Sequence, residues 1–583
     1  MLALAAVSVL SAQEPDTLAV PPADQAADTL AQDTLAVDTA VIRIFPLFPG
    51  PASRAPGVTA VWDLPDLLAN DALTLGGLFQ FMPEFDPVRM GFLEGSQAAV
   101  AWGRGASSLR YSVDGYEIAP LGGGPLDLRL LSMVEQQELR LFRDAGGYRL
   151  ISHTYRNEAN EPYSRIEAGT GDRDVNLLRG FFSSTFAGTL VGFGFDRIDT
   201  DGIPDLDASE RTSTWANLAA PLFFDIWGQL EFRNSSTDRT SFPNPKRRDW
   251  ILRLRRPFAD GWFADIVAGT GRVEVDTVLS TGVADSLRVP LVSEAHQVAL
   301  RGARVADNWQ AQLSLRAWDG VDVPNFESEA SLEVDIGPAT LYGNGHVADW
   351  DDFQLGAGYG ALRLRLPLGL SLTGEIEEGD RGLFGARPIP WHEFSSKTAG
   401  VELQVLGWRL GGRGGSQSVG PSPALGQPYD SATSLAGGST NVVEGWARGP
   451  LFRLFGGQLG AGGSLRTREA GRFFYWPQTS WQANGSYYLL AVGEQLEIWL
   501  NAKGGVRGAM AVPDEDAGAG FAALTEELYW FRADAVVRIK DVHVFYNYEY
   551  FDSRIGMVGI SDLPGLNFPR ARTHFGVKWE FWN

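Results

Sequence analysis

The strongest constraint on this chain is an alternation of apolar and polar residues that begins near Tyr163 and continues to the C-terminus. Trp309, Ala311, Leu313, Leu315 and Ala317 share one face of a segment whose other face carries Gln310, Gln312, Ser314 and Arg316. Tyr529, Phe531, Ala533, Ala535, Val537 and Ile539 alternate in the same way with Trp530, Arg532, Asp534, Val536, Arg538 and Lys540. Period two places successive side chains on opposite faces of a β-strand. The segments are about ten residues long, enough to cross a hydrocarbon layer at a tilt of about 45°. Aromatic residues stand at their ends, as at Trp309, Trp350, Trp499, Tyr529 and Trp579, where a membrane interface favours them. We count about 22 such strands, and a barrel of that size leaves a lumen wide enough to need a plug. The expected fold is therefore mainly β: a large antiparallel transmembrane barrel with a small α/β plug before it. A secreted all-β binding protein would show the same alternation. Strand length, aromatic ends and the want of interrupting helices favour the barrel.

Ahead of the alternation the chain divides into three parts. Residues 1–13 contain the apolar run Leu2–Ala12, too short to span a bilayer as a helix and suited to a secretory signal peptide. A positively charged start is missing, and a buried N-terminal helix is the competing reading. Residues 14–57 are rich in Pro, Asp, Ala and Thr; Asp16-Thr17-Leu18-Ala19-Val20 recurs as Asp33-Thr34-Leu35-Ala36-Val37. Such a composition buries too little apolar surface to offset ordering entropy, so a disordered arm is expected. Its β-prone end, Asp38–Ile44, suits pairing with the sheet edge of a partner, or is a plain linker. Residues 58–157 mix helical spacing at Leu73–Met82 with short strands around Ala98–Trp102, Leu109–Val113, Glu138–Phe142 and Tyr148–Tyr155, a compact plug domain. Residues 158–583 form the barrel.

Charge and composition narrow the function. Lys and Arg number 49 and Asp and Glu 71, for a net charge of −22. This repels phosphate backbones, so no nucleic-acid partner is expected. The chain has no Cys, which removes disulfides and thiolate chemistry. Its six His are scattered without metal-ligand spacing, and Trp391-His392-Glu393 lacks the second His of a zinc helix. Gly356-Ala357-Gly358-Tyr359-Gly360 lies in strand alternation rather than at a helix start, so it is no phosphate loop. No catalytic residues, metal or cofactor are expected, and the chain does not read as an enzyme.

Residues 58–157 also carry an ordered series of short motifs. Leu75, Leu78, Phe79 and Pro83 come first, then Arg104-Gly105, then the turn Val113-Asp114-Gly115. Asp127, Leu128, Val134, Glu135, Glu138 and Leu139 follow, and Gly146-Gly147 with Ile151, Thr154 and Arg156 close the series. In order and spacing this resembles the plug of TonB-dependent outer-membrane receptors, as a short and divergent member. Glu84 stands where that family has glycine, and Arg143-Asp144-Ala145 replaces a Gly-Pro-rich stretch. The last strand is similar to the signal that outer-membrane barrels present to their insertion machinery: His574, Gly576, Trp579 and Phe581 fill its places, with Trp582 and Asn583 trailing. A buried edge strand is the alternative there.

The resemblance implies a Gram-negative-type outer-membrane protein with a periplasmic N-terminal arm, gating the uptake of an unidentified small ligand. Asp38, Thr39, Ala40, Val41 and Ile42 loosely match the box that contacts a TonB-type energising protein. A passive or structural barrel without that coupling is the alternative. Arg316, Glu333, Asp335, Arg532, Asp534 and Arg538 are the expected lumen charges that hold the plug, and solvated charges without a partner are the alternative for any one of them.

Overall fold

The computed structural model describes residues 45–582, apart from 53–54, 80–81, 83, 90–92, 94–96, 102–103, 105–107, 122–125, 158, 160, 203–207, 240–243, 280–286, 322, 383–390, 421–436, 472, 474, 494, 514–521, 554–559 and 562–566. The signal-peptide segment, residues 38–42, Pro83 and Gly105 lie outside the described residues.

A small α/β unit comes first. Its elements are β1 (Val58–Trp62), α1 (Leu64–Leu68), α2 (Leu75–Phe79), β2 (Phe85–Arg89), β3 (Gln97–Ala101), β4 (Leu109–Val113), β5 (Tyr116–Glu117), β6 (Gln136–Asp144) and β7 (Gly147–Thr154). Five strands form one sheet in the order β1-β6-β7-β4-β5, with β4 parallel to β7 and the other neighbours antiparallel. Helix α1 starts at Asp63, whose side chain accepts from the Asp66 amide while Asp66 reaches back to the Asp63 amide. This reciprocal cap satisfies two backbone donors that a helix start otherwise leaves open. Helix α2 is a single turn rather than the longer helix that the Leu73–Met82 spacing suggests. Gly76 and Gly77 weaken its interior, and a Cβ at Gly76 would lie 2.7 Å from Gln97 Oε1. Leu75, Phe79, Tyr111, Val113, Leu139, Leu141 and Leu150 bury their side chains together in the core of this unit. Phe85 joins it, edge-on to Phe79 at 4.9 Å and tilted against Tyr148 at 4.8 Å.

From Tyr163 onward, 22 strands close into one antiparallel barrel. They run from 9 residues in Tyr163–Gly171 to 19 in Leu287–Val305, and all but the first are longer than the ten expected from the sequence. The last strand, Ala571–Trp582, pairs with the first, from Trp582 opposite Tyr163 to His574 opposite Gly171. Closure removes the sheet edges that would otherwise expose unpaired backbone groups. One end of the barrel has short turns. In Ala187-Gly188 and Leu406-Gly407 both residues have positive φ, the turn whose twist matches the flanking strands. The other end carries the longer connections.

The polarity of the barrel is reversed relative to a soluble protein. Phe193, Leu300, Leu313, Phe575 and Trp579 are exposed on the outer face, while Glu231, Arg253, Arg255 and Asp265 are fully buried within. An apolar outside and a polar inside is the arrangement of a barrel surrounded by lipid.

Candidate functional site

The α/β unit occupies the lumen, and its contacts with the wall are built from charged side chains placed by strand alternation. The tightest cluster surrounds the turn Val113-Asp114-Gly115 between β4 and β5. Arg253 of the strand Pro245–Pro257 donates to Val113 O at 2.8 Å and to Asp114 O at 3.2 Å. Arg301 donates to Asp114 O at 3.1 Å, and Arg316 to Gly115 O at 3.4 Å. The turn thus presents its carbonyls to three wall arginines. Gly115 has φ +93, a conformation that favours glycine, and a Cβ there would stand 2.0 Å from Arg301 Cζ and would have to displace that guanidinium. Within the unit the Asp114 carboxylate meets His153 Nδ1 at 2.9 Å and the Thr154 hydroxyl at 2.8 Å. Burial pushes this carboxyl up, but the His153 ring and the nearby Arg253 and Arg156 outweigh it and hold it well below its usual 3.8.

A second cluster gathers on Glu377 of the strand Leu370–Gly382. Arg104 meets it at 2.5 Å and Arg143 at 3.4 Å, and the Gly146 amide donates to it at 3.2 Å. Gly146 and Gly147 make the β6–β7 turn with φ of +90 and +153, and a Cβ at Gly147 would strike Ser108 O at 2.1 Å. A third cluster pairs Arg110 and Arg149 of the unit with Glu329 of the wall, at 2.6 Å and 2.7 Å. Glu135 is fully buried and pairs with Arg233 at 2.6 Å, while Glu138 pairs with Arg140 at 2.7 Å nearer the surface of the unit. On the far side Arg532 grips Asp71, and Lys578 reaches the carbonyls of Leu67 and Asn70.

All six lumen charges expected from the sequence point inward by register. Arg316 meets Glu327 at 3.0 Å, Glu333 accepts from the Ala52 amide at 3.1 Å, and Thr340 donates to Asp335 at 2.6 Å. Asp534 pairs with Arg532, and Arg538 with Glu497. The terminal-strand residues divide by face: His574 is buried inside, and Trp579 is exposed on the outer wall. A Cβ at Gly576 would lie 2.3 Å from Ala168 O, so this position holds the first and last strands close at the seam. Phe581 shares the outer face with Trp579 and packs on it at 5.6 Å between ring centres.

Composition groups residues 45–52 with the arm, yet the structure packs them between the sheet and the wall. Phe45 is buried, edge-on to Trp227 at 6.0 Å, and Arg255 lies 4.8 Å from its ring. Arg301 lies 4.0 Å from the Phe48 ring. Carbonyl oxygens along the segment are taken up by arginine and glutamine: Phe45 O by Arg156 at 2.7 Å, Pro46 O by Arg255 at 2.6 Å, and Gly50 O by Gln310 at 2.9 Å. Pro46, Pro49 and Pro51 lack amide protons, so the segment offers acceptors more than donors, and cationic donors suit it. The signal was present in Phe45-Pro46-Leu47-Phe48-Pro49, which departs from the Asp/Ala/Thr repeats before it.

A plugged 22-stranded barrel with this order of elements has the fold of TonB-dependent receptors. Among solved structures the chain is similar to the FrpB iron transporter from Neisseria meningitidis (F3-3 variant), with a TM-score of 0.66 and 12% identity over 90% of this chain and 99% of that one. It is similar too to the ferric enterobactin receptor PfeA in complex with BCV-L6, with a TM-score of 0.68 and 11% identity over 91% of this chain and 100% of that one. The siderophore receptor PirA from Acinetobacter baumannii gives 0.66 and 11%, over 91% and 99%. No protein-family model and no curated protein sequence matches the chain.

Proposed function

We propose that the protein is an outer-membrane receptor-transporter in which the lumenal unit is a plug that gates passage of a ligand. The observation that carries this reading is the seat itself: buried ion pairs and arginine–carbonyl contacts fix the unit across the lumen. Both ends of the unit lie at the short-turn end of the barrel. Phe45 packs with Leu190, Ala219 and Trp227 beside the turns there, and Asn157 donates to Ser183 O at 3.2 Å. An arm preceding Phe45 would then start on the side of the short turns, the periplasmic side in this reading. A signal peptide over residues 1–13 would direct export, and the insertion machinery would read His574, Gly576, Trp579 and Phe581. Asp38–Ile42 would add as a strand to a TonB-type protein, which would pull through Phe45–Pro51 on the plug.

Conductance in a planar bilayer tests the plug. The full chain is expected to be silent, and a chain lacking Val58–Asn157 to conduct in large steps. Equal conductance from both overturns the gate and favours a passive barrel. Deleting Asp38–Ile42 tests the coupling: energised uptake is expected to stop while membrane insertion is unchanged.

A further inference from the structure

Five adjacent strands depart from the charge balance of the rest of the wall. They are Trp408–Val419, Gly438–Leu454, Gly457–Arg468, Thr479–Ala491 and Leu496–Arg507. In a chain of net charge −22 they carry eight cations and only two carboxylates, Glu444 and Glu497.

Register places every one of these charges on the inner face. Glu377, which meets the plug, stands opposite Ser396, and Ser396 opposite Gln417. Arg413 and Arg409 share the face of Gln417 by period two, and they pair with Glu444 and Arg448 on the next strand. Glu444 in turn faces Arg466, Arg453 faces Gln458, and Lys503 faces Asn484. The result is a ladder. Arg453, Arg448 and Arg409 lie near the short turns, Arg413 and Arg466 at mid-height with Lys503 beside them, and Arg468 and Arg507 at the loop end.

The two ends of this ladder serve different purposes. Arg468 is used in local structure, donating to the carbonyls of Glu469, Gly471 and Trp476 at 3.0, 3.0 and 2.7 Å. Arg409, Arg448 and Arg453 are exposed to the lumen instead. Arg409 and Arg448 stand directly opposite each other across the two strands. Like charges so placed are destabilising, so folding alone does not favour them. Tyr488 faces the same space, 40% exposed, on the strand whose Asn484 stands opposite Lys503. Rows of Arg and Lys along a pore select anions, because the low-dielectric wall strengthens their field.

We propose that this side of the lumen binds small anionic solutes, and that the ladder is the track along which an anion-bearing ligand passes the plug. Passage rests on the transporter reading above; binding does not. The probe is a trisulfonated pyrene dye, added to the full chain in non-ionic detergent at low ionic strength, where charge interactions are least screened. Fluorescence anisotropy is expected to show saturable binding, and the triple variant Arg409→Gln, Arg448→Gln, Arg453→Gln is expected to weaken it at least tenfold. Arg197→Gln, on the outer face, is expected to leave it unchanged. A cationic dye of similar size is expected not to bind. Equal binding by wild type and triple variant, or equal binding of the cationic dye, overturns the proposal. Heat-modifiable gel migration checks the fold of the triple variant; if it does not fold, Arg448→Gln alone must weaken binding about threefold, and no change overturns the proposal. Loss of dye specificity with a silent full-length chain removes the ladder and leaves the gate. Specific binding by a chain that conducts without gating does the reverse.

Discussion

Two sides of one lumen use arginine differently. From Ser209 to Glu377 the wall alternates cations with carboxylates, and each cluster closes on the plug: Arg253 with Glu231 and the Val113-Asp114 carbonyls, Glu329 with Arg110 and Arg149, Glu377 with Arg104 and Arg143. From Trp408 to Arg507 the cations outnumber their carboxylates, and two arginines face each other. Charge that must hold a protein surface in place is neutralised by a fixed partner. Where Arg409 and Arg448 face each other, exposed to the lumen, the charge keeps its field for something that comes and goes. Buried ion pairs add little net stability over an apolar contact, but losing one partner strands the other. The first side is therefore expected to be intolerant of substitution and the second tolerant.

The largest expected effect lies on the gripped side. Glu377→Ala strands the buried Arg104 and leaves Arg143 with Glu375 at 3.8 Å and the Tyr148 hydroxyl at 2.8 Å, and it should destabilise the seated plug by about 3–5 kcal/mol. The measurement is conductance of the full chain, which should turn from silent to intermittently open. Gly115→Ala comes next: positive φ and the Arg301 guanidinium both oppose a Cβ, for an expected cost of about 1–3 kcal/mol. Thermal unfolding should show the lower midpoint, and Arg301→Gln in the same chain should restore part of it.

The fold was readable in the sequence because a closed membrane barrel leaves a repeating mark. Each strand must be apolar outward and polar inward, so Trp309–Ala317 and Tyr529–Ile539 declare both period and face. Gly115 and Gly147, both singled out in the sequence, stand where the backbone takes a positive φ. The partners of those residues were not readable. Glu377, Arg253 and Arg301 are ordinary inward charges in their own strands, and their meaning comes from a plug more than 100 residues away in the chain. The strapping of Phe45–Pro51 was missed because low complexity before it masked two phenylalanines. The basic sector was missed because no strand contributes more than three charges and Thr479–Ala491 contributes none, and the excess emerges when register aligns the five strands.

Acid provides a subtler contrast. The Asp114 carboxyl is held well below its ordinary 3.8 in the folded plug, against the upward push of burial, by His153, Arg253 and Arg156. A depressed folded value means that this contribution is complete above the unfolded value near 3.8 and is lost as pH falls through the lower folded value. Acidifying from about pH 7 to about pH 5 should therefore not loosen the turn through Asp114. Below about pH 4 its share of the melting midpoint should fall in wild type and be missing from Asp114→Asn.

The smallest effect has the opposite sign and separates the two sides most sharply. Replacing Arg448 by Gln removes a like-charge pair without stranding a carboxylate, since Arg409 is exposed to the lumen and Glu444 keeps Arg413. The barrel should be unchanged or more stable by about 0.2–1 kcal/mol. The midpoint of the heat-modifiable gel transition reads this directly. A gain in stability from Arg448→Gln, against a loss of the seated plug from Glu377→Ala, is the outcome expected if one wall is built to hold and the other to attract. A loss from Arg448→Gln comparable to that from Glu377→Ala would mean that Arg448 has a structural partner, and the distinction between the two sides would fail at its most exposed residue.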